Sequence, residues 1–290
     1  MMMVEALAPR ARVELVKNKA WAILGVLLLL TATVWAAPPR KIILIIFENT
    51  SYKDAMTQPF FANFADHGAL LTNYFAIGHP SQPNYLAMVS GSTFNVADDG
   101  EVDLNSDHLG DLLEAKGRSW HVYAEGFPGQ CNLKDRVKKY ARKHNPLISF
   151  VNIQNNPSRC ANITDSSSFV RDFSAQHLAD FSMYIPDQEN DGHDTGVAFA
   201  DKWFNHIFSP LLQNSSAMNG VMVVATFDED DNTQANHVYT AFYGPDVIPG
   251  TRLDTPCNHY NLLRTIENLF ALGDLGREDA KASAITGFLR

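Results

Sequence analysis

Two nearly continuous apolar runs constrain the fold of this chain more than any other feature. They read KIILIIF, residues 41–47, and GVMVVATF, residues 220–227. Polar residues do not alternate with apolar ones in either run, so each predicts a strand that is buried on both faces. Such strands are typical of parallel sheets with helices on both sides. Acidic residues follow each run at once: Glu48 after the first, and Asp228 to Asp231 after the second.

Further apolar runs complete the predicted sheet. They cover residues 119–125, 181–186 and 238–244. Helical spacing of apolar residues appears over 108–117, over 195–212 and between 262 and 270. Strands that alternate with helices predict an α/β fold with a mostly parallel central sheet, flanked by helices on both faces.

The first 36 residues have the features of a secretory signal. Four basic residues precede the apolar run of residues 20–36, namely Arg10, Arg12, Lys17 and Lys19. The run is shorter than the roughly 20 residues that a membrane-spanning helix needs. We therefore predict cleavage before Ala37 and a secreted protein without stable membrane insertion, the alternative being an uncleaved anchor. Residues 37–290 are predicted to form a single domain, with an irregular insert at about 126–168.

The charge of the chain bears on its partners. The formal net charge is −9, and removal of a signal that holds four basic and two acidic residues makes it −11. An acidic protein is poorly suited to binding the backbone of nucleic acids, which we exclude as its main task. Small phosphate esters stay compatible with this charge, provided that cations lie in the site.

Three cysteines are present, at 131, 160 and 257. Two cysteines of a secreted protein are expected to pair. Cys131 and Cys160 flank one loop-rich stretch, so we predict a disulfide between them and a free thiol at Cys257. Asn49, Asn162 and Asn214 begin glycosylation sequons, which fits an exported chain.

Acidic residues and histidines gather where strands end. The run ending at residue 186 is followed by DQENDGHDTG, with Asp187, Asp191 and His193, and His237 precedes the run at 238–244. Ligands of open α/β sheets bind beyond the carboxyl ends of the strands. Each acidic cluster alone is typical of a solvated loop or a helix cap. Together they predict a divalent cation, because so much like charge in one crevice is costly.

The stretch GHPSQPN, residues 78–84, has two interpretations. Ser81 could cap the helix that follows, with Pro83 in the first turn. Alternatively, its hydroxyl is a nucleophile beside the positive end of that helix, which is a natural phosphate site, with Asn84 donating to a phosphate oxygen. His79 either stabilises charge near the site or belongs to the turn. His144, in KHNP, is either a site residue or part of a surface loop, and Asn258 or His259 is a candidate cap of the last helix.

Several motifs, in order, resemble the phosphoesterase family of secreted acid phosphatases and phospholipase-C-like enzymes. They are IIFENTS, GHPSQPNYLAMVSGS, KHNP, YIPDQENDGHDT, TFDEDD and HYNLLRTIENLFAL, and they extend over roughly residues 41–272. Fungal acid phosphatases are similar in size and motif wording. The resemblance implies an alkaline-phosphatase-like fold.

The resemblance also implies roles for individual residues. Ser81 matches the nucleophile and Asn84 the phosphate contact. One metal ion is expected at Glu48, Asn49, Asp228 and Glu229. A second metal would use Asp187 or Asp191 with His193, and His237 matches a late metal ligand. Two departures bear on this second site: the spacing before His193 differs from the usual D-x-x-G-H, and Asp228-Glu229 replaces an Asp-His pair.

The implied function is a secreted, metal-dependent acid phosphatase that hydrolyses phosphate monoesters through a phosphoserine on Ser81. His79 or His144 would stabilise the transferred phosphoryl group. Because a glycan on Asn49 would block the cleft, this residue is expected to carry none. Two alternatives remain: a phospholipase-C-like phosphodiesterase with the same core, and an inactive secreted binding protein that has kept the fold.

Overall fold

A computed structural model describes residues 39–290, and the predicted signal segment lies outside them. The main sheet has eight strands, in the spatial order β11-β2-β10-β9-β1-β8-β4-β7. Two small two-stranded sheets pair β3 with β12 and β5 with β6. The strands are β1 (Lys41–Phe47), β2 (Ala69–Leu71), β3 (Tyr74–Phe75), β4 (Trp120–Ala124), β5 (Arg136–Val137), β6 (Tyr140–Ala141), β7 (Ile163–Thr164), β8 (Phe181–Ile185), β9 (Val221–Phe227), β10 (Thr240–Tyr243), β11 (Thr251–Leu253) and β12 (Cys257–Asn258).

Within the part of the chain that the structure describes there are ten α-helices. They are α1 (Tyr52–Met56), α2 (Pro59–Asp66), α3 (Ser81–Ser90), α4 (Leu109–Ala115), α5 (Val151–Gln154), α6 (Pro157–Cys160), α7 (Phe169–Ser174), α8 (Val197–Leu212), α9 (His259–Leu269) and α10 (Glu278–Lys281). Short 3-10 turns lie at 142–144, 146–149 and 166–168. Within residues 39–290, no helix is both long and apolar enough to cross a membrane.

The two apolar runs form the centre of the sheet, as predicted. β1 pairs in parallel with β9 along its whole length, so that Phe47 lies opposite Phe227. On its other side β1 pairs in parallel with β8, and β4 continues the sheet in the same direction. β10 runs antiparallel to both of its neighbours. The α/β fold with a mainly parallel sheet is thus confirmed. One strand, β10, runs in the opposite direction, and residues 228–239 connect it to β9 without a helix.

Two groups of helices flank the sheet. α2 and α7 each pack against α8, and α3, α4, α9 and α10 form the other group. The ring centroid of Phe47 in β1 lies 4.9 Å from that of Phe61 in α2 and 5.1 Å from that of Phe204 in α8. Contacts of this kind tie the central strand to the first group of helices, since buried aromatic side chains contribute much of a core's stabilisation.

The parallel pairing brings two predicted acidic positions to one edge of the sheet. β1 and β9 end at the same level, and the amide N–H of Asp228 donates to the carbonyl oxygen of Phe47 at 2.9 Å. Glu48 and Asp228 therefore leave adjacent strands side by side. The amide of Glu48 also donates to the carbonyl oxygen of Asp191, in the loop after β8, at 3.1 Å.

Residues 126–168 consist of short helices, 3-10 turns and two-residue strands. Their last strand, β7, joins the edge of the main sheet by parallel pairing with β4. Cys131 and Cys160 form the predicted disulfide, with their Cα atoms 5.6 Å apart. Cys257 is free and half-buried, and burial raises the pKa of its thiol to about 12.

Removal of the disulfide is expected to destabilise the protein. The bridge closes a loop with a sequence separation of 29 residues. A loop of this length restricts the unfolded chain by about 3–4 kcal/mol in the chain-entropy description. Cys131→Ser with Cys160→Ser should lower the free energy of unfolding in urea by this amount, and Cys257→Ser serves as the control. Equal stabilities of the double variant and the wild type would contradict the expectation.

A buried histidine caps one of the helices. His108 is fully buried before α4, where its Nδ1 accepts from the amide of Gly110 at 3.0 Å. Its Nε2 lies 3.1 Å from Oδ1 of Asn152. Burial lowers the pKa of this imidazole to about 4. The folded protein thus holds a neutral ring in the pH range where the unfolded chain already binds a proton.

This difference predicts a loss of stability in acid. The pKa of histidine is about 6.5 in an unfolded chain, so the contribution of His108 declines as the pH falls from about 6.5 to about 4. His108→Asn keeps a capping side chain that does not titrate, and should lose up to about 3 kcal/mol less over this range than the wild type. Urea unfolding at several pH values measures this, with the exposed His67→Asn as control. Parallel pH profiles of H108N and the wild type would rule the effect out.

Candidate active site

Glu48, the first residue after β1, is the centre of a buried polar cluster. Its side chain is fully buried. The hydroxyl of Ser81 donates to Oε2 at 3.0 Å, and the hydroxyl of Tyr85 donates to Oε1 at 2.7 Å. Both donors lie on α3, one helical turn apart. The Nε2 atom of His144 lies 3.1 Å from Oε1. The carboxylate thus joins the central strand to α3 and to the 3-10 turn at 142–144.

Glu229, two residues after β9, is a second carboxylate beside Ser81. Its Oε1 lies 3.4 Å from Ser81 Oγ, within reach of the same hydroxyl. Its Oε2 accepts from Asn84 Nδ2 at 3.3 Å and lies 3.0 Å from His79 Nδ1. The hydroxyl of Ser81 therefore lies between two carboxylates that come from neighbouring strands.

Asp228 lies directly after β9 and has one unpaired oxygen. Its Oδ1 accepts from the backbone N–H of Asn49 at 3.2 Å, whereas its buried Oδ2 has no hydrogen-bond partner. Nε2 of His259 lies 2.7 Å from the backbone carbonyl oxygen of Asp228, and Nδ1 lies 2.9 Å from the hydroxyl of Tyr74. The helix cap before α9 is Asn258 rather than His259. His259 thus holds the backbone of Asp228 in place.

The loop before α3 explains how Ser81 is presented. The residue at the cap position of α3 is Pro80, and no side chain caps this helix end. Oδ1 of Asn84 accepts from the amides of Ile77 and Gly78 at 2.9 and 3.1 Å, and its Nδ2 donates to the carbonyl oxygen of Gly78 at 2.8 Å. Asn84 therefore fastens the loop to the helix. The hydroxyl of Ser81 is left to face the carboxylates, so the capping interpretation does not describe it.

Electrostatic repulsion is strong in this cluster. Burial, and then the charge of Glu48, raise the pKa of Glu229 to about 8. Burial also raises the pKa of Asp228 well above its usual range, with Glu48 and Glu229 contributing next. The pKa of Asp191 is also raised well above its usual range, mainly by burial. Carboxylates under such repulsion, with a buried oxygen atom that nothing satisfies, fit a divalent cation, since its charge would favour their ionised forms.

His144, which the sequence predicts as a catalytic residue and not as a ligand, belongs to a group of possible metal-ligand atoms. One atom each from Glu48, His144 and Asp191 lie within 4.8 Å of one another, and all three residues are buried. His144 Nδ1 lies 3.3 Å from Asp191 Oδ2, and its ring stacks on Tyr85 with centroids 5.0 Å apart. Burial lowers the pKa of His144 to about 4. A neutral imidazole has a lone pair to offer, which suits a metal ligand.

Three other candidate ligands have partners of their own. Oδ1 of Asp187 accepts from the amides of the two residues at 189 and 190 in its own turn. The ring of His193 lies 2.8 Å from Asp194, with its centroid 6.0 Å from that of His144. His237 lies 3.0 Å from the carbonyl oxygen of Thr72 and stacks on the ring at position 52. In the part of the chain that the structure describes, the polar partners of these three side chains are therefore not Glu48, Asp228 or Glu229.

The structure adds three residues that the motifs did not single out. Lys143 Nζ lies 3.5 Å from Ser81 Oγ and 2.7 Å from Oδ2 of Asp99. Burial by itself would lower the pKa of Lys143, but Asp99 and the nearby carboxylates raise it above its ordinary value. Tyr85, the third, binds Glu48. Lys143 and Tyr85 lie within the motifs KHNP and GHPSQPNYLAMVSGS, and Tyr85 stands four residues after Ser81, on the same helix face.

Comparisons with known proteins identify relatives of this chain. A "Probable acid phosphatase" of Kluyveromyces lactis is 38% identical over 259 residues, which cover 85% of this chain and 62% of the relative. This chain thus spans less than two thirds of that relative's length. A phosphatidylinositol-3-phosphatase of Mycobacterium tuberculosis is 32% identical over 277 residues, which cover 89% of this chain and 90% of the relative.

The fold is similar to that of a protein of the alkaline phosphatase superfamily from Vibrio parahaemolyticus. The TM-score is 0.56 at 12% identity, and the match covers 85% of this chain and 71% of that one. The model of the phosphoesterase family matches residues 48–273, from the buried glutamate after β1 to the loop after α9. The chain belongs to the phosphoesterase family.

Proposed function

We propose that this chain is a secreted, metal-dependent acid phosphatase that hydrolyses phosphate monoesters through a phosphoserine on Ser81. The observation that carries the proposal is the hydroxyl of Ser81, held at the start of α3 between Glu48 and Glu229. Both relatives named above are phosphatases, which supports hydrolysis of a phosphate monoester.

The cation is proposed to bind at Glu48, Asn49, Asp228 and Glu229, at the ends of β1 and β9. Asp191 and His144 border this position and supply further ligand atoms. A divalent cation there would neutralise the buried carboxylates and favour the ionised form of an adjacent hydroxyl. Oxygen-rich ligands of this kind suit a hard cation.

Ser81 performs the first transfer in this mechanism. Its Oγ attacks the phosphorus, and the new O–P bond forms as the bond from phosphorus to the leaving oxygen breaks. The proton of the hydroxyl passes to Glu48 Oε2, which already accepts it in a hydrogen bond at 3.0 Å. Water then attacks the phosphorus, and the new O–P bond forms as the bond from phosphorus to Oγ breaks. Glu48 returns its proton to Oγ, the proton lost by water restores the group that protonated the leaving alcohol, and inorganic phosphate is released.

His79 is the proposed proton donor to the leaving oxygen. Its side chain is 30% exposed, so it lies where a departing alcohol can reach solvent. Its two ring nitrogens lie 3.0 Å from Glu229 and 3.1 Å from Asp230. His144 is less suited to this step, because it is buried and burial lowers its pKa to about 4. We assign it to the ligand set instead.

Three features support secretion. The predicted signal precedes the catalytic domain, the disulfide between Cys131 and Cys160 requires an oxidising compartment, and Asn214 is an exposed sequon. Asn49 is half-buried, and its backbone contacts Asp228, which agrees with the expectation that it carries no glycan.

Replacement of the nucleophile tests the function directly. Ser81→Ala removes the oxygen that bonds to phosphorus, so turnover of p-nitrophenyl phosphate should fall by about a thousandfold or more, while circular dichroism is unchanged. Ser158→Ala, at an exposed position, is the matched control and should retain full activity. A folded S81A variant with wild-type turnover would disprove the phosphoserine route.

Replacement of one proposed ligand tests the metal. Asp228→Asn removes a buried negative charge from the cluster and should lower both the metal content, measured by plasma mass spectrometry, and the activity. Asp231→Asn, at an exposed position three residues later, should keep both. Metal removal by a chelator should also lower the melting temperature, because a ligand that binds only the folded state stabilises it. An unchanged metal content in D228N would exclude Asp228 as a ligand.

A further inference from the structure

Lys143 places an ammonium group beside the proposed nucleophile. It belongs to the 3-10 turn at 142–144, which packs against α3. Its Nζ lies 3.5 Å from Ser81 Oγ, and its side chain is only 13% exposed. Lysine side chains are rarely this buried unless they are paired. The contact is therefore part of the structure of the site and not an incidental contact of a surface charge.

Asp99 holds this ammonium group at the start of the helix. Oδ2 accepts from Lys143 at 2.7 Å, and Oδ1 accepts from the backbone N–H of Gln82 at 3.0 Å. One carboxylate therefore joins the lysine to the residue after Ser81. The side chain of Asp99 is 33% exposed, so solvent reaches the pair from one side.

Lys143 is a source of positive charge beside Ser81. Two carboxylates flank the hydroxyl, at 3.0 Å for Glu48 and 3.4 Å for Glu229. A phosphate ester approaching Oγ brings more negative charge to the same place. When phosphorus is bonded to Oγ, its remaining oxygens lie next to Nζ of Lys143. Among the described residues, Nζ of Lys143 is the only lysine or arginine nitrogen in contact with Ser81.

We propose that Lys143 recognises the charge of the phosphate group and makes this site favour monoesters over diesters. The inference rests on the proposed function and names the substrate class of that same site. A monoester carries a charge of about −1.5 to −2 near pH 7, by analogy with phosphoserine, whereas a diester carries a single charge. A monoester therefore has one more charged oxygen than a diester, and the ammonium group of Lys143 can bind that oxygen.

The experiment compares two esters on enzyme purified with its metal. For Lys143→Met, kcat/KM at pH 7 should fall about 30-fold for p-nitrophenyl phosphate, as expected for loss of a hydrogen bond to a charged group, and only a few-fold for its bis ester. Lys143→Arg keeps the charge and should restore most of the preference. Lys134→Met removes the same charge from an exposed position in the same insert and is the control.

Calorimetric binding separates this proposal from the proposed function. Inorganic phosphate should bind K143M about 30-fold more weakly than the wild type, with dimethyl phosphate affected only a few-fold, at an unchanged metal content. Equal losses for both ligands, or unchanged phosphate affinity, would overturn the role of Lys143 and leave the phosphatase assignment standing. If the wild type hydrolyses neither ester, the proposed function fails, and the two affinities alone decide whether Lys143 recognises phosphate.

Discussion

Burial of several carboxylates at one edge of a parallel sheet is the constraint on which the site depends. Glu48 and Asp228 follow adjacent strands, β1 and β9, and the register that pairs Phe47 with Phe227 brings them to the same level. Ionised groups in such a position repel one another and lose hydration, and both effects are costly. The fold tolerates them because hydroxyl, amide and imidazole groups surround them, and a cation would complete the compensation.

The same carboxylates organise the elements around them. Glu48 accepts from two residues of α3 and contacts the turn that carries His144, while Glu229 contacts Asn84 and the loop at His79. A helix that enters the site must therefore present donors on the face it turns towards β1. α3 does so although it is buried over its whole length, with Ser81 and Tyr85 one turn apart. The same side chains of α3 therefore fill the buried space and donate the hydrogen bonds to Glu48.

Prediction from the sequence succeeded where the signal was local. The continuous runs KIILIIF and GVMVVATF identified the two central strands, and the residues that directly follow them, Glu48 and Asp228, lie in the buried cluster. Prediction was weaker for α2, an eight-residue helix, and for β2, a three-residue strand, because such short elements hold too few residues to display a period. Asp99 carried no signal, and Lys143 was not assigned a role although it begins the KHNP motif, since a lone charged residue in a loop is ordinarily solvated.

The sequence by itself determined the two central strands and the residue types that directly follow them. These depend on hydrophobic period and on chemistry within a few residues, which a sequence displays directly. Only the tertiary structure decided which of the acidic and imidazole groups meet. His144 joined Glu48 and Asp191, whereas His237 bonded to a backbone carbonyl at Thr72. The reason is that strand order and loop path, rather than separation along the chain, set the distances between side chains.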